Sequence, residues 1–285
     1  MLYKVLSIGE ERFYADPGLS IPKRQEDAYF KLIRKRLSGI PTAYLTGRRE
    51  FWSLSFEVGP GVLIPRPETE LVVEKVLELA RAKSRKESGG GNGSGLLIAD
   101  IGTGCGCIAI SLAKELPGSR VIATDASEAA LRYARRNASA LGIKNIEFLQ
   151  GDLFEPFRDK RVQEGFARIQ GTNARIEGNT DQLANRFDFI VSNPPYVSAA
   201  EWETLEREVR EHEPREALVA GDKGTEVIER LIPESSLFLK PGGHLIFEIG
   251  FGQKESVLSF FEAEWGSVAG FDDLGGVPRV IVARK

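Results

Sequence analysis

Asn193-Pro194-Pro195-Tyr196 closes the apolar run Phe187-Asp188-Phe189-Ile190-Val191-Ser192. Each proline lacks an N–H and fixes its own φ, so the run cannot continue as sheet. The residue before a proline is pushed into extended geometry. The chain is thereby held stiffly at a strand end, with carbonyls exposed, a carboxamide before them and an aromatic face after them. In open α/β sheets the carboxyl ends of the strands are where ligands bind. Such an edge suits a planar nitrogen substrate, whose N–H groups need acceptors and whose face can pack on a ring. A plain strand-terminating turn is the alternative if the motif stood alone.

A second group of residues bears on it. Asp100-Ile101-Gly102-Thr103-Gly104-Cys105-Gly106 lies between a predicted strand and a predicted helix. Glycines at alternate positions let the backbone turn sharply and approach a ligand closely. The dinucleotide fingerprint needs glycine where this chain has Cys107, which weakens a nicotinamide reading. An acidic residue before the turn fits a nucleoside ligand without a pyrophosphate. Asp125, at the end of the next predicted strand, can take both ribose hydroxyls. Asp152 after the third strand is a candidate partner for an adenine amino group, with an ordinary turn residue as the alternative. Leu153 is a candidate wall for the ring, with core packing as the alternative. The two histidines, His212 and His244, read as surface or packing residues.

Positioning these residues requires an alternation of strands and helices. Strands are expected at Leu96–Ile101, Arg120–Thr124, Ile146–Leu149, Phe187–Ser192 and His244–Ile249, with helices at Ile108–Glu115 and from Glu128 to Ala140. Strands separated by helical segments imply a parallel sheet covered on both faces. Val268–Phe271 and Arg279–Ala283 read as a terminal hairpin that places one antiparallel strand at the sheet edge. The domain therefore spans 96–285, with a polar surface insertion at 158–186, for which disorder is an open alternative. Before it, 84–95 reads as a flexible Gly/Ser linker. Residues 47–83 read as a connecting segment: a hairpin within 50–64, broken at Gly59-Pro60-Gly61, then a helix carrying Leu71, Val72, Val76, Leu77 and Leu79. Residues 1–46 are helical and polar, with apolar spacing at Tyr29, Phe30, Ile33 and Leu37.

At 285 residues the chain can bury a substantial core. Its 42% hydrophobic and 28% charged residues are ordinary for a globular protein, and its net charge of −3 does not suit tight wrapping of nucleic acid. No apolar run approaches the roughly 18 residues of a membrane span, and no secretory leader is legible. Cys105 and Cys107, the only cysteines, are too close to staple a fold and lack metal-ligand partners nearby. No metal site, a cytoplasmic location and a monomer are expected.

Together, the glycine turn, the acidic second-strand end and the Asn-Pro-Pro-Tyr end resemble a Rossmann-like class I S-adenosylmethionine-dependent methyltransferase. More narrowly the chain resembles the HemK/PrmC family, the protein-(glutamine-N5) methyltransferases of peptide-chain release factors. The matching stretches are Ala43–Gly47 with Glu50-Phe51, Leu63–Glu70, Asp100–Gly106, Phe187–Tyr196, Glu213-Pro214 with Ala217-Leu218, and Pro241–Gly243 with Glu248–Gly250. Ile64-Pro65-Arg66-Pro67-Glu68-Thr69-Glu70 is the specific one, because Asn-Pro-Pro-Tyr is shared with DNA-adenine and RNA-guanine methyltransferases.

The resemblance implies S-adenosylmethionine as cofactor, held by Asp100, Gly102, Thr103, Gly104, Cys105, Gly106, Asp125, Asp152, Leu153 and Asn193. It implies the glutamine of a release factor's Gly-Gly-Gln loop as acceptor. Asn193 through its side-chain oxygen and Pro194 through its carbonyl then accept the two amide N–H bonds. Tyr196 packs on the amide plane and Pro195 keeps the turn rigid. Family members carry a longer helical N-terminal domain, so 1–46 reads as a shortened docking region, and the insertion at 158–186 is not a family feature. Arg66, Glu68 and Glu70 either line the cofactor mouth, grip the substrate loop or cap the following helix. The rival readings are an exocyclic-amine methyltransferase of DNA or RNA, for which the Lys31–Arg36 cluster is the only local basic candidate, and a non-catalytic cofactor-binding module.

Overall fold

The apolar runs become the strands of one twisted sheet because both of its faces are covered. In the computed structural model, which describes residues 1–6, 8, 10–16, 18–86, 93, 95–159, 161–163 and 183–285, the strands are β1 (Arg48–Phe51), β2 (Leu54–Glu57), β3 (Leu97–Ile101), β4 (Arg120–Asp125), β5 (Ile146–Gln150), β6 (Phe187–Ser192), β7 (Val197–Ser198), β8 (Val219–Gly221), β9 (Leu239–Glu248), β10 (Ser267–Asp272) and β11 (Pro278–Arg284). The main sheet runs β10-β11-β9-β6-β3-β4-β5. β3 pairs in parallel with both β4 and β6, and β4·β5 and β6·β9 are parallel too. After β5 the chain returns to the other side of β3, so the strand order reverses between β3 and β6. That reversal opens a crevice beyond their carboxyl ends.

Alternate residues feed two cores, as the two-residue period of a strand requires, save at Phe187 and Phe189, where an irregularity in the β6·β9 register breaks the alternation. Ile98, Val121, Ala123, Phe189 and Val191 pack on one face with Val72, Val76, Ile108 and Leu112. Leu97, Ala99, Ile122, Phe187 and Ile190 pack on the other with Phe157, Ile228, Leu231 and Phe238. The first face is covered by α5 (Glu70–Lys86), α6 (Cys107–Glu115) and α7 (Glu128–Ala140), the second by the helix Glu226–Phe238. On that second face Phe154 stacks on Phe238 with centroids 5.1 Å apart, and Phe157 stacks on Phe187 at 5.1 Å.

Three expectations need correction. The antiparallel strand is not at the sheet edge: β11 lies between β9 and β10 and is antiparallel to both, leaving β10 outermost. The early hairpin turns at Trp52 and Ser53, whose φ values are 51° and 55°, and not at Gly59-Pro60-Gly61. Two consecutive left-handed residues match the twist of a tight hairpin, and the Trp52 N–H is pinned by Glu70 Oε1 at 2.7 Å. Helix α5 continues to Lys86, into the stretch expected as linker.

Residues 87–92 and 94 of that linker, and 160 and 164–182 of the insertion, lie outside the described residues. The flanks of the insertion are anchored, since Val162 and Leu183 pack into the second core. Residues 1–46 form α1 (Leu2–Leu6), α2 (Glu10–Ala15), α3 (Lys23–Leu37) and α4 (Thr42–Thr46). Helix α3 has no buried residue and is tied to the sheet domain through Arg36 and Glu208 at 2.5 Å. No helix among the described residues is long and apolar enough to cross a membrane.

Candidate active site

The turn after β3 is held by main-chain bonds to its neighbour strand. Gly102 and Thr103 both donate their N–H groups to the carbonyl of Thr124 at 2.9 Å. Gly102 has φ 73°, and a Cβ built there meets nothing within 4 Å, so the missing side chain leaves open space on the crevice side. Gly106 is required for the opposite reason: at φ 85° its Cβ would come within 2.8 Å of Ile110 and 3.2 Å of Ala134, inside the α6–α7 contact. Asp100 is fully buried behind the turn. Its Oδ2 accepts from Thr103 Oγ1 at 2.6 Å and from the Ala109 N–H at 3.1 Å, while Oδ1 has no partner among the described residues. Burial pushes this carboxyl up to about 7.

Asp125 ends β4 facing the same turn. Its Oδ2 accepts from the Gly104 N–H and its Oδ1 from the Ser127 N–H, both at 2.8 Å. Burial raises its carboxyl above the ordinary range against those two bonds. A carboxylate offers about four lone-pair sites, so each oxygen can still accept a hydroxyl. Leu153 adopts φ 45° and is held by Thr124, whose Oγ1 donates to its carbonyl at 3.1 Å. Asp152 sits at the rim, ion-paired with Arg230 at 2.6 Å.

Across the crevice, Ser192 donates to the carbonyl of Ile101 at 2.7 Å, locking the end of β6 to the end of β3. Asn193 donates from Nδ2 to Thr69 Oγ1 at 3.0 Å. Thr69 donates to Glu248 Oε2 at 2.6 Å, and Tyr196 donates its phenol to Glu248 Oε1 at 3.1 Å. Burial and the neighbouring carboxylate of Glu248 hold the Tyr196 phenol protonated, well above its ordinary range. Gln253 closes the motif from outside, donating to the carbonyls of Tyr196 at 2.8 Å and Gly224 at 3.2 Å. Beyond Tyr196, β7 pairs with β8, so the exit of the motif is fixed as well.

Between these walls lies a cavity of about 480 Å³. Gly102, Thr103, Gly104, Cys105, Asp125, Asp152, Leu153, Asn193 and Pro195 line it, joined by Val62, Leu63, Pro65, Thr69, Pro214 and Ala217. Asp100, Gly106, Pro194 and Tyr196 are not on its wall: the first two lie behind the turn, while Pro194 and Tyr196 sit beside the lining residues Asn193 and Pro195, where an amide entering past them would meet them. The stretch 62–65 is secured by buried Glu213, which accepts from the Ile64 N–H at 3.0 Å and from Arg66 at 2.6 Å. Of the three residues left open from sequence, Arg66 is thus an anchor for that stretch and Glu70 a clamp on the hairpin turn. Thr69, Glu213, Glu248 and Gln253 were not assigned roles from sequence. Three of them lie in stretches whose pattern was noticed, but nothing in a linear chain says that residues 69 and 248 meet.

The chain matches two family models: "PrmC N-terminal domain" over residues 1–47 and "Methyltransferase domain" over residues 92–249. The release factor glutamine methyltransferase of Koribacter versatilis is 37% identical over 269 residues, covering 94% of this chain and 83% of that protein. The protein of the same name from Coxiella burnetii is 34% identical over 288 residues, covering 100% of this chain and 90% of its own length. Among solved structures, a methyltransferase from Pyrococcus furiosus superposes with a TM-score of 0.51 at 18% identity, over 90% of this chain and 98% of that one. That likeness is one of fold.

Proposed function

The chain belongs to the family of release factor glutamine methyltransferases, and from that premise we propose how its two walls divide the reaction. The reaction is transfer of a methyl group to the side-chain amide nitrogen of the glutamine in a release factor's Gly-Gly-Gln loop. S-adenosylmethionine fits the first wall: Gly102 leaves open space where a side chain would project, and Asp125 has acceptor capacity to spare. Gly102–Cys105, Asp125, Asp152 and Leu153 hold it in this reading, with Asp100 and Gly106 bracing the turn from behind. When bound it supplies a methyl group on an electrophilic sulfonium.

An amide nitrogen is a weak nucleophile because its lone pair is delocalised into the carbonyl. Its nucleophilicity rises only if the nitrogen is held in line and allowed to pyramidalise. Asn193 Oδ1 and the Pro194 carbonyl accept its two N–H bonds; as the new C–N bond formed, the methyl–sulfur bond would break to leave a neutral thioether, and one of the two N–H protons would pass to solvent. Pro195 keeps the two acceptors in register, and Tyr196, its phenol fixed on Glu248, presents its ring to the amide. No strong general base is required, and positioning with preorganised acceptors supplies most of the acceleration.

The observation that carries this reading is the orientation of Asn193. Its Nδ2 is committed to Thr69, and among the described residues no donor reaches its Oδ1, so the wall offers an acceptor and not a donor. The test is incubation with labelled S-adenosylmethionine and, in parallel, purified release factor, DNA and RNA. The expected result is one methyl group on the Gly-Gly-Gln glutamine by mass mapping. Label on nucleic acid with none on the release factor overturns the reading.

A further inference from the structure

A single carboxylate is linked to both side chains that flank the two prolines, directly to Tyr196 and through Thr69 to Asn193. Glu248, at the end of β9, is 1% exposed, and so is Thr69. The bonds form a chain: Asn193 Nδ2 to Thr69 Oγ1, Thr69 Oγ1 to Glu248 Oε2, and Tyr196 Oη to Glu248 Oε1. A hydroxyl has one proton to give, and an ionised carboxylate can only accept. With Glu248 ionised, the Thr69 proton is committed to it. The Thr69 oxygen is then left as an acceptor, and only the Nδ2 end of Asn193 can satisfy it. The Oδ1 end is therefore turned to the crevice.

The reverse arrangement shows what the carboxylate contributes. A proton on Glu248 turns it into a donor toward Thr69, whose own proton swings toward Asn193. The amide then gains by presenting Oδ1 to Thr69 and its NH₂ to the crevice. A substrate amide would meet donors where it needs an acceptor.

We propose that Thr69 and Glu248 are positioning residues that set the polarity of Asn193, keeping its oxygen toward the substrate amide while the same carboxylate fixes the Tyr196 ring. This rests on the acceptor role given to Asn193 above. The groups facing Glu248 come from three elements: Tyr196 after β6, Thr69 and Glu68 in the turn before α5, and Arg279 in β11. Burial pushes the Glu248 carboxyl up, and the bonds from Thr69 and Tyr196 together with the charge of Arg279 hold it down against Glu68. The relay is therefore sensitive to pH on the acid side.

Thr69→Val keeps the shape and removes the hydroxyl, Thr69→Ser restores it, and Glu248→Gln keeps the size but makes one arm a donor. The expected outcome for Thr69→Val and Glu248→Gln is a fall in kcat of about 10- to 100-fold, the range implied by leaving buried hydrogen-bonding groups mismatched. KM for the release factor and S-adenosylmethionine affinity should change far less, and Thr69→Ser should retain most of kcat. The acid limb of the wild-type kcat profile should be absent in Glu248→Gln. A second readout needs no substrate: the Asn193 side-chain NH₂ signal in ¹⁵N-labelled protein, assigned by its loss in Asn193→Ala. It should move in Thr69→Val, stay in Thr69→Ser and shift with pH in the wild type. Wild-type kcat in Thr69→Val, or a signal indifferent to that change, overturns the proposal. A wild-type protein that leaves the release factor unmethylated overturns the activity reading alone, because the ¹⁵N signal still reports on the relay.

Discussion

The two walls of the crevice are made of different material. The cofactor wall is mostly main chain, with Asp125 as its one inner carboxylate: the turn 102–106 is fastened by N–H groups to the Thr124 carbonyl and to Asp125 Oδ2, and its glycines matter for the space they leave. The acceptor wall is side chain: Asn193, Thr69, Tyr196 and Glu248 are joined by hydrogen bonds whose direction depends on one buried proton inventory. A main-chain wall is insensitive to which way a proton points and intolerant of added volume. A side-chain wall tolerates changes of shape and fails when a donor and an acceptor are exchanged. Binding and transfer should therefore separate under mutation.

Asn193→Ala tests that separation with the largest effect. Removal of one preorganised polar group at a reacting centre costs on the order of 10²–10³ in kcat, and the S-adenosylmethionine dissociation constant from calorimetry should stay close to wild type. Transfer at the wild-type rate would remove Asn193 from the mechanism. Asp125→Ala should do the reverse. A hydrogen bond to a charged group is worth roughly 1.5–3 kcal/mol, so affinity should fall about 10- to 100-fold while kcat at saturating cofactor is largely kept. An equal fall in kcat would merge the two walls into one.

The same contrast explains what could be read from the chain. The wall at the glycine turn is contiguous: strand, glycine turn and acidic strand end follow one another in sequence, so Gly102–Cys105 and Asp125, which line the cavity, could be placed together before any coordinates. The acceptor wall was legible only where it is local, in Asn193-Pro194-Pro195-Tyr196. Thr69 and Glu248 are 179 positions apart, and their meeting depends on α5 crossing the sheet beside β9. The sheet was read correctly where strands are wholly buried, as in β3 and β6. It was misread at β11, because a terminal hairpin does not reveal whether its second strand inserts beside β9 or ends outermost. The hairpin turn was misplaced for a related reason: Gly59-Pro60-Gly61 is a strong local breaker, but the Glu70 carboxylate stabilises the turn at Trp52 from outside the segment.

Behind the cofactor wall, Asp100 gives a pH-dependent prediction. Its folded carboxyl lies at about 7, above the ordinary value of 3.8. Between those values the folded state holds a proton that the unfolded chain has released, so stability falls as pH rises through that window. Asp100→Asn keeps both acceptor bonds and cannot ionise. Its melting temperature should therefore gain on that of wild type as pH rises from about 4 to about 8, the span of the shifted titration. Parallel melting curves would mean that Asp100 is ionised in the fold throughout.

The smallest effect is expected at Asp152, the second carboxylate on the cofactor wall after Asp125. Its carboxylate pairs with Arg230 while both side chains are about half exposed, and such pairs contribute about 0–1 kcal/mol. Asp152→Ala should therefore leave the melting temperature nearly unchanged. If the carboxylate takes the adenine amino group, it does so in competition with Arg230 and with water, so calorimetry should register only a small loss of S-adenosylmethionine affinity. Arg230→Ala, which frees the carboxylate, should then tighten binding slightly. A loss in Asp152→Ala as large as in Asp125→Ala would mean that the rim, too, binds through a side chain, and the division between a main-chain wall and a side-chain wall would stop at β4.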